Sequence, residues 1–142
     1  MRRVTLACTL LLPLLVAGCG GDDDDNDTPT SPSNPAVTVT DTFTGTLVRN
    51  GGTSHPFPVV SAAGGDVTAT LKAVTPNTES LVGMSLGTWN GSACQAVIAN
   101  DRAVVSASII GRATSTGTLC LRIYDIGTIT DPQDYEVEVV HP

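Results

Sequence analysis

The fold of this chain is decided by the stretch Leu119-Cys120-Leu121-Arg122-Ile123-Tyr124, in which large apolar side chains take every second position. Successive side chains of a β-strand point to opposite faces, so this pattern buries one face and exposes the other. The same alternation recurs in Val67–Leu71, Val82–Leu86 and Tyr135–Val139. Since no stretch has a capped helical period, the sequence predicts an all-β protein.

Turn signals separate these alternating runs. They are Asn50-Gly51-Gly52, Ala63-Gly64-Gly65-Asp66, Pro76-Asn77, Asn90-Gly91, Asn100-Asp101, Thr116-Gly117 and Asp131-Pro132. Both residues of Asn90-Gly91 tolerate positive φ, which predicts a type I′ hairpin. Many short strands between such turns are typical of an antiparallel β-sandwich, here jelly-roll-like. We predict eight strands, at 41–48, 55–60, 66–74, 81–89, 93–99, 102–110, 117–126 and 134–140.

The amino-terminal segment has the pattern of an export signal. Arg2 and Arg3 precede an apolar run from Val4 to Ala17, which is shorter than the ~20 residues that a membrane-spanning helix needs. The following Val16-Ala17-Gly18-Cys19 resembles the lipobox of bacterial lipoproteins. This resemblance implies that residues 1–18 are a signal peptide and that Cys19 carries a diacylglycerol and further acyl chains such as palmitate. A short uncleaved anchor is the alternative.

Residues 19–36 are predicted to be a disordered linker after the lipidated cysteine. The segment contains Asp22–Asp25 followed by Asn, Thr, Pro and Ser, with no large apolar residue before Val37 to form a core. A calcium-collecting or export role for the aspartates is the alternative to a solvated spacer. Residues 37–142 are long enough for one domain, which we predict to be the β-sandwich.

The charge balance argues against nucleic acid as a partner. Removal of residues 1–18 takes away Arg2 and Arg3 and changes the formal net charge from −7 to −9. Binding to phosphate backbones needs a surplus of Lys and Arg. We expect attachment to the membrane through the lipid on Cys19 and no contact with nucleic acid.

Two cysteines remain after Cys8 leaves with the signal peptide and Cys19 is acylated. We predict that Cys94 and Cys120 form a disulfide, because thiols oxidise in exported proteins. Metal binding by this pair is a weaker alternative, since two isolated cysteines do not complete a tetrahedral site. A pair of free, reactive thiols is a further alternative, although the C-x-x-C spacing typical of reactive pairs is missing.

Five segments of the folded part follow one another in an order typical of a known family. They are Phe43–Leu47, His55–Val59, Gly65–Leu71, Gly117–Asp125 and Tyr135–Val139. In this order they resemble the bacterial pre-peptidase C-terminal domain, a small β-sandwich found in secreted proteases and other exported proteins. The resemblance implies a domain without catalytic residues. Collagen-binding relatives order the preceding strand with calcium, whereas here that segment has a single acidic residue, Asp41.

Motifs of catalysis are missing from the sequence. It contains no G-x-S-x-G at a strand-to-helix turn, where a nucleophile elbow needs it, and no H-E-x-x-H, phosphate loop or dinucleotide fingerprint. His55 and His141 are the two histidines, and we interpret both as structural or merely exposed. We therefore predict no catalytic residue, no cofactor and no bound metal.

Two other groups of residues have a structural and a functional interpretation. Asp125, Asp131 and Asp134 follow the seventh predicted strand, where they offer oxygens to a cation or, as we favour, bond to their own backbone in turns. Trp89 and Tyr124 offer aromatic faces for stacking on sugars, or, as we favour, fill space in the sandwich.

The expected function is that of an exported, lipid-anchored, non-catalytic binding or accessory module. It would present its β-sandwich to a protein or a polysaccharide. A purely structural component of the envelope is the alternative, and an enzyme is the least favoured. Gly20 stands after Cys19 in place of an aspartate, which by analogy with Gram-negative lipoproteins favours the outer membrane.

Overall fold

The computed structural model describes residues 37–142 of the chain. The predicted signal peptide (1–18) and linker (19–36), with Cys19, lie outside the described residues. The eight strands are β1 (Val39–Leu47), β2 (Gly52–Val59), β3 (Gly65–Thr75), β4 (Val82–Trp89), β5 (Cys94–Ala103), β6 (Ser108–Ala113), β7 (Gly117–Tyr124) and β8 (Gln133–His141). In this part of the chain, no helix is long and apolar enough to cross a membrane.

The strands form two antiparallel sheets of four. The front sheet has the order β1-β8-β3-β6 and the back sheet has the order β2-β7-β4-β5. This interleaved order is that of a jelly roll, in which two Greek keys wrap around one core. The predicted antiparallel, jelly-roll-like β-sandwich is therefore confirmed.

The core lies between the two sheets and consists of the alternating apolar side chains. Leu121 and Ile123 of β7, at the centre of the stretch that decides the fold, are fully buried. Val137 and Val139 of β8 and Leu71 of β3 face them from the front sheet and are buried as completely. Removing this apolar surface from water supplies the main driving force for folding, at about 25 cal/mol for each Å².

One turn prediction is wrong. Asn100-Asp101 lies inside β5, at an irregularity where the register with β4 shifts between Val82 and Met84. The turn instead follows Ala103, and the sequence did not indicate it because three of its four residues, at 104, 105 and 107, are apolar. Val105 and Ala107 pack against the core, while Ser106 N–H donates to Leu71 O at 2.7 Å. Strand β5 is therefore longer than predicted and β6 is shorter.

The β4–β5 hairpin is present, but its predicted type I′ turn is wrong. Gly91 has a φ of 98°, whereas Asn90 is not among the residues with positive φ. The Asn90 side-chain oxygen instead accepts the backbone N–H groups of Ser92 (3.0 Å) and Ala93 (2.8 Å). This Asx-type bonding closes a four-residue loop in place of a two-residue turn.

Candidate functional site

An apolar cleft opens between the two sheets on the side where β5 and β6 are the edge strands. Its volume is about 110 Å³ and its lining includes Val67, Leu86, Val97, Ile98, Gly111 and Leu119. These residues come from β3, β4, β5, β6 and β7, so both sheets contribute walls. Small-molecule and peptide sites have this character, with apolar walls and few polar groups.

A β-bulge in β5 builds one wall of the cleft. Leu86 of β4 pairs with Ile98, but the next residue, Gly87, pairs with Ala96, so Val97 is the extra residue of β5. Neighbouring residues of a regular strand point to opposite faces, whereas a bulge re-aims a side chain. Val97 and Ile98 consequently both line the cleft.

Gly111 leaves the opposite wall thin. A β-carbon at this position would lie 3.8 Å from the terminal methyl groups of both Ile98 and Leu86, which is ordinary van der Waals contact. The space between Gly111 and these two side chains is therefore real and can be filled by one methyl group without a clash.

The rim of the cleft is exposed and apolar. Val97 is 74% exposed and Ile98 37%. We call these two residues the apolar lip. A second cavity of about 210 Å³ adjoins the cleft, shares Thr88, Arg112 and Leu119 with it, and is lined by the hydroxyl-rich segment 114–118.

Sequence reasoning missed this cleft. The run Ala96-Val97-Ile98-Ala99 breaks the alternation of apolar and polar residues, and that break is the local signal of a bulge. Gly111 gave no such signal, because its importance depends on the distant residues Ile98 and Leu86.

Trp89 and Tyr124, for which stacking on sugars is the alternative to packing, are far apart. Tyr124 pairs with Gly83 on the outer face of the back sheet, and Trp89 lies six residues further along β4, about 20 Å away. The Tyr124 ring is covered by Arg122, whose guanidinium carbon is 5.0 Å from the ring centroid. Its hydroxyl donates to Asp101, and partial burial together with this carboxylate raises the pKa of Tyr124 to about 12.

Both histidines lie between the sheets on the β1–β2 side, among aromatic rings. The His55 ring stacks on Phe43 at 4.9 Å, and its Nε2 is 2.8 Å from the Tyr135 hydroxyl. His141 is 2% exposed, with Nε2 3.1 Å from an Asp41 carboxylate oxygen. Neither histidine lines the cleft.

We expect the protein to be less stable at pH 5.5 than at pH 7.5. Burial lowers the pKa of His55 below its ordinary value of 6.5, so the unfolded chain takes up the proton more readily. The contribution of His55 to stability is complete above pH 6.5 and is lost as the pH falls. Urea unfolding at both pH values measures the loss. His55→Gln should show a smaller loss, and an equal loss in both proteins would contradict the assignment.

Asp125 makes a turn and is not free to bind a cation. Its Oδ1 accepts the backbone N–H groups of Gly127, Thr128 and Ile129, and its Oδ2 accepts that of Asn50. Slight desolvation raises the pKa of Asp125, but these four donors outweigh it and the net pKa is lowered.

The other two loop aspartates bond to different partners: Asp131 accepts the Thr130 hydroxyl, and Asp134 accepts the Thr46 hydroxyl at 2.6 Å. Within residues 37–142, no group of three or more His, Cys, Asp or Glu side chains is placed to hold a metal ion.

Asp125→Ala should destabilise the domain by about 2 kcal/mol, because four backbone donors lose a charged acceptor. The expected fall in the thermal midpoint is about 10 °C. Asp131→Ala removes a carboxylate from the same loop that bonds only to Thr130 at 3.1 Å, and should cost less than about 0.5 kcal/mol. Equal midpoints for the two variants would show that Asp125 does not organise the loop.

The outer face of the front sheet has a shallower, polar depression of about 370 Å³. Threonines 44, 46 and 75 surround the carboxylates of Asp134 and Glu136 there. It is larger than the cleft, but its two carboxylates disfavour an anionic ligand.

The predicted disulfide is confirmed, with the sulfurs of Cys94 and Cys120 2.06 Å apart. It joins the start of the edge strand β5 to the central strand β7. The bond therefore holds in place the strand that carries Val97 and Ile98.

Comparisons with known proteins extend the fold description only. No protein-family model matches this chain, and no curated protein matches it. Among solved structures, it is similar to the crystal structure of the Yersinia pseudotuberculosis-derived mitogen, with a TM-score of 0.53 and 16% sequence identity. The match covers 72% of this chain and 86% of that chain. At this identity the likeness concerns the β-sandwich fold alone.

Proposed function

We propose that this protein is a lipid-anchored, extracytoplasmic, non-catalytic module that binds a partner protein through the apolar cleft. The observation that carries the proposal is the cleft between β5 and β6 with its exposed apolar lip. A monomeric surface rarely keeps such residues together unless something covers them.

Two exposed apolar residues lie next to each other in the cleft lining. Val97 and Ile98 are among the eight large apolar residues of the described part that are exposed. Scattered exposed valines need no explanation, but a cluster beside an open apolar cleft does. A partner that covers this cluster gains free energy with each apolar Å² removed from water.

A protein fits this surface better than a polysaccharide. Sugar rings stack on exposed aromatic faces, whereas the cleft is aliphatic. The Tyr124 ring is already covered by Arg122, and Trp89 does not line the cleft. Aliphatic side chains instead gain free energy when an apolar protein surface removes them from water.

Anchoring and export rest on the sequence. The lipobox-like Val16-Ala17-Gly18-Cys19 supports a lipid on Cys19, and Gly20 favours the outer membrane. The Cys94–Cys120 bond favours an oxidising compartment outside the cytoplasm. The resemblance to the pre-peptidase C-terminal domain supports an accessory role without catalysis.

Photo-crosslinking in cells tests the proposal. A photoreactive amino acid in place of Val97 should give one saturable adduct of defined mass. The matched control places it at Val60, which is 70% exposed but outside the cleft, against 74% for Val97. Equal adducts at both positions, or none at Val97, would overturn the binding function. An adduct of twice the protein's own mass would support a self-assembling envelope component instead.

A further inference from the structure

The two edge strands beside the cleft differ in their ability to accept another strand. Strand β5 has two register shifts against β4, one at Val97 and one near Asp101. Strand β6 pairs with β3 without interruption, from Ser108 opposite Thr70 to Ala113 opposite Gly65. Bulges blunt an edge, whereas a regular edge presents a row of free N–H and C=O groups. Within residues 37–142, β6 has no strand on its outer side.

The cleft begins at this same edge, beside Gly111. In an antiparallel pair, directly opposite side chains lie on the same face of the sheet. A residue placed opposite Gly111 on an added strand would therefore direct its side chain toward Ile98 and Leu86. Gly111 has no side chain, so the volume that this residue needs is free.

The size of the cleft limits what can enter. It is narrow and its lining is mostly aliphatic, with Val67, Leu86 and Leu119 among the walls. One aliphatic side chain such as leucine or isoleucine matches this lining.

We infer that the partner is an extended protein segment that adds to β6 as a fifth strand of the front sheet and inserts one aliphatic side chain into the cleft. Main-chain bonds to β6 supply affinity and the cleft selects the side chain, as in other cases of strand addition. This inference rests on the proposed function and specifies its partner.

A second copy of the chain fits less well than a separate segment. The inward residues of β6 next to Gly111 are Ile109 and Ala113, which are 6% and 5% exposed because they belong to the core of their own protomer. Pairing of β6 with β6 of another copy would place no free side chain in the cleft. Such a dimer would leave the cleft unfilled.

The position of Pro142 allows a direct test. Its ring lies 3.1 Å from the place that a β-carbon would take at Gly65, and Gly65 pairs with Ala113 at the end of β6. A tail appended after Pro142 can therefore reach the free edge. A Gly/Ser linker of eight residues spans about 15 Å, which covers two strand spacings. The tail then runs antiparallel to β6.

The probe is a seven-residue tail of threonines with one central leucine, and its control has serine at the centre. Both are added to the mature chain, residues 19–142, with Cys19→Ala so that no detergent enters the cleft. The leucine tail should raise the thermal midpoint by about 5 °C over the serine tail. Gly111→Ala should at least halve this difference. Gly117→Ala, whose added methyl would meet nothing within 4 Å, should keep it.

Three results would overturn the inference. Equal midpoints for the two tails would deny strand addition, and an undiminished difference in Gly111→Ala would deny entry into the cleft. A dimer of the untailed chain in sedimentation, dissociated by Ile110→Lys, would assign the edge to a second copy. If Val97 gives an adduct but the two tailed proteins have equal thermal midpoints, the proposed binding function stands and only the addition of a strand to β6 is rejected.

Discussion

Cys19→Ala is expected to abolish the incorporation of radiolabelled palmitate and to remove the protein from the lipid-modified envelope fraction. The thiol of Cys19 is the acceptor that the lipobox resemblance implies, and without it neither acylation nor cleavage before residue 19 takes place. Acyl chains supply the membrane affinity, at about 0.8 kcal/mol for each buried methylene, and two chains hold stably. The effect should therefore be all-or-none.

Cys8→Ala provides the matched control, because Cys8 lies inside the predicted signal peptide. This variant should incorporate palmitate like the parent protein. Label that persists in Cys19→Ala, or a mature amino terminus before residue 19 in mass spectrometry, would contradict the anchor. The fold of residues 37–142 is unaffected by either result.

Removal of the disulfide by Cys94→Ala with Cys120→Ala is expected to cost roughly 3 to 4 kcal/mol. The two cysteines are 26 residues apart, and closure of a loop of that length restricts the unfolded chain by about this free energy. The thermal midpoint should fall by roughly 15 to 25 °C. Chemical reduction of the parent protein should give the same midpoint as the double variant.

Without the disulfide, the loss of local stability should be greatest in β5. Hydrogen exchange should show that amides of Cys94–Ala103 lose protection before those of β7, because an edge strand is held by one neighbour and by the disulfide. A change of less than about 1 kcal/mol would mean that the bond does not hold the edge strand. In that case the cleft would have to be organised by packing alone.

Local sequence predicted most of the strands because they have a buried and an exposed face, whereas most of β4 is buried on both faces and most of β5 is exposed. The alternation around Leu121 and Val137 places seven of the eight predicted strands close to their observed positions. The exception, 102–110, depended on Asn100-Asp101, which has the composition of a turn but occupies a bulge in β5. The real turn was missed since its valine and alanine side chains are held by the core.

The order of the strands in the sheets and the candidate site could not be predicted from local sequence patterns, because both depend on contacts between residues that are far apart in the chain. Pairing of β3 with β6 and β8, which are remote in sequence, decides which edges are free. The cleft then depends on a bulge at Val97, a missing side chain at Gly111 and walls from five strands. Each residue is unremarkable alone. The disulfide was predictable because thiols oxidise in an exported protein and because only Cys94 and Cys120 remain once Cys8 and Cys19 are assigned to the signal peptide and the lipid.

The decisive comparison measures the Val97 photo-adduct in the parent protein and in Gly111→Ala. The added methyl group contacts Ile98 and Leu86 at 3.8 Å and occupies part of the cleft, so the variant should be at least as stable as the parent. If the cleft is the binding site, the adduct should fall at least fivefold while the thermal midpoint stays equal or rises. An unchanged adduct in this stable variant would mean that the partner does not use the cleft.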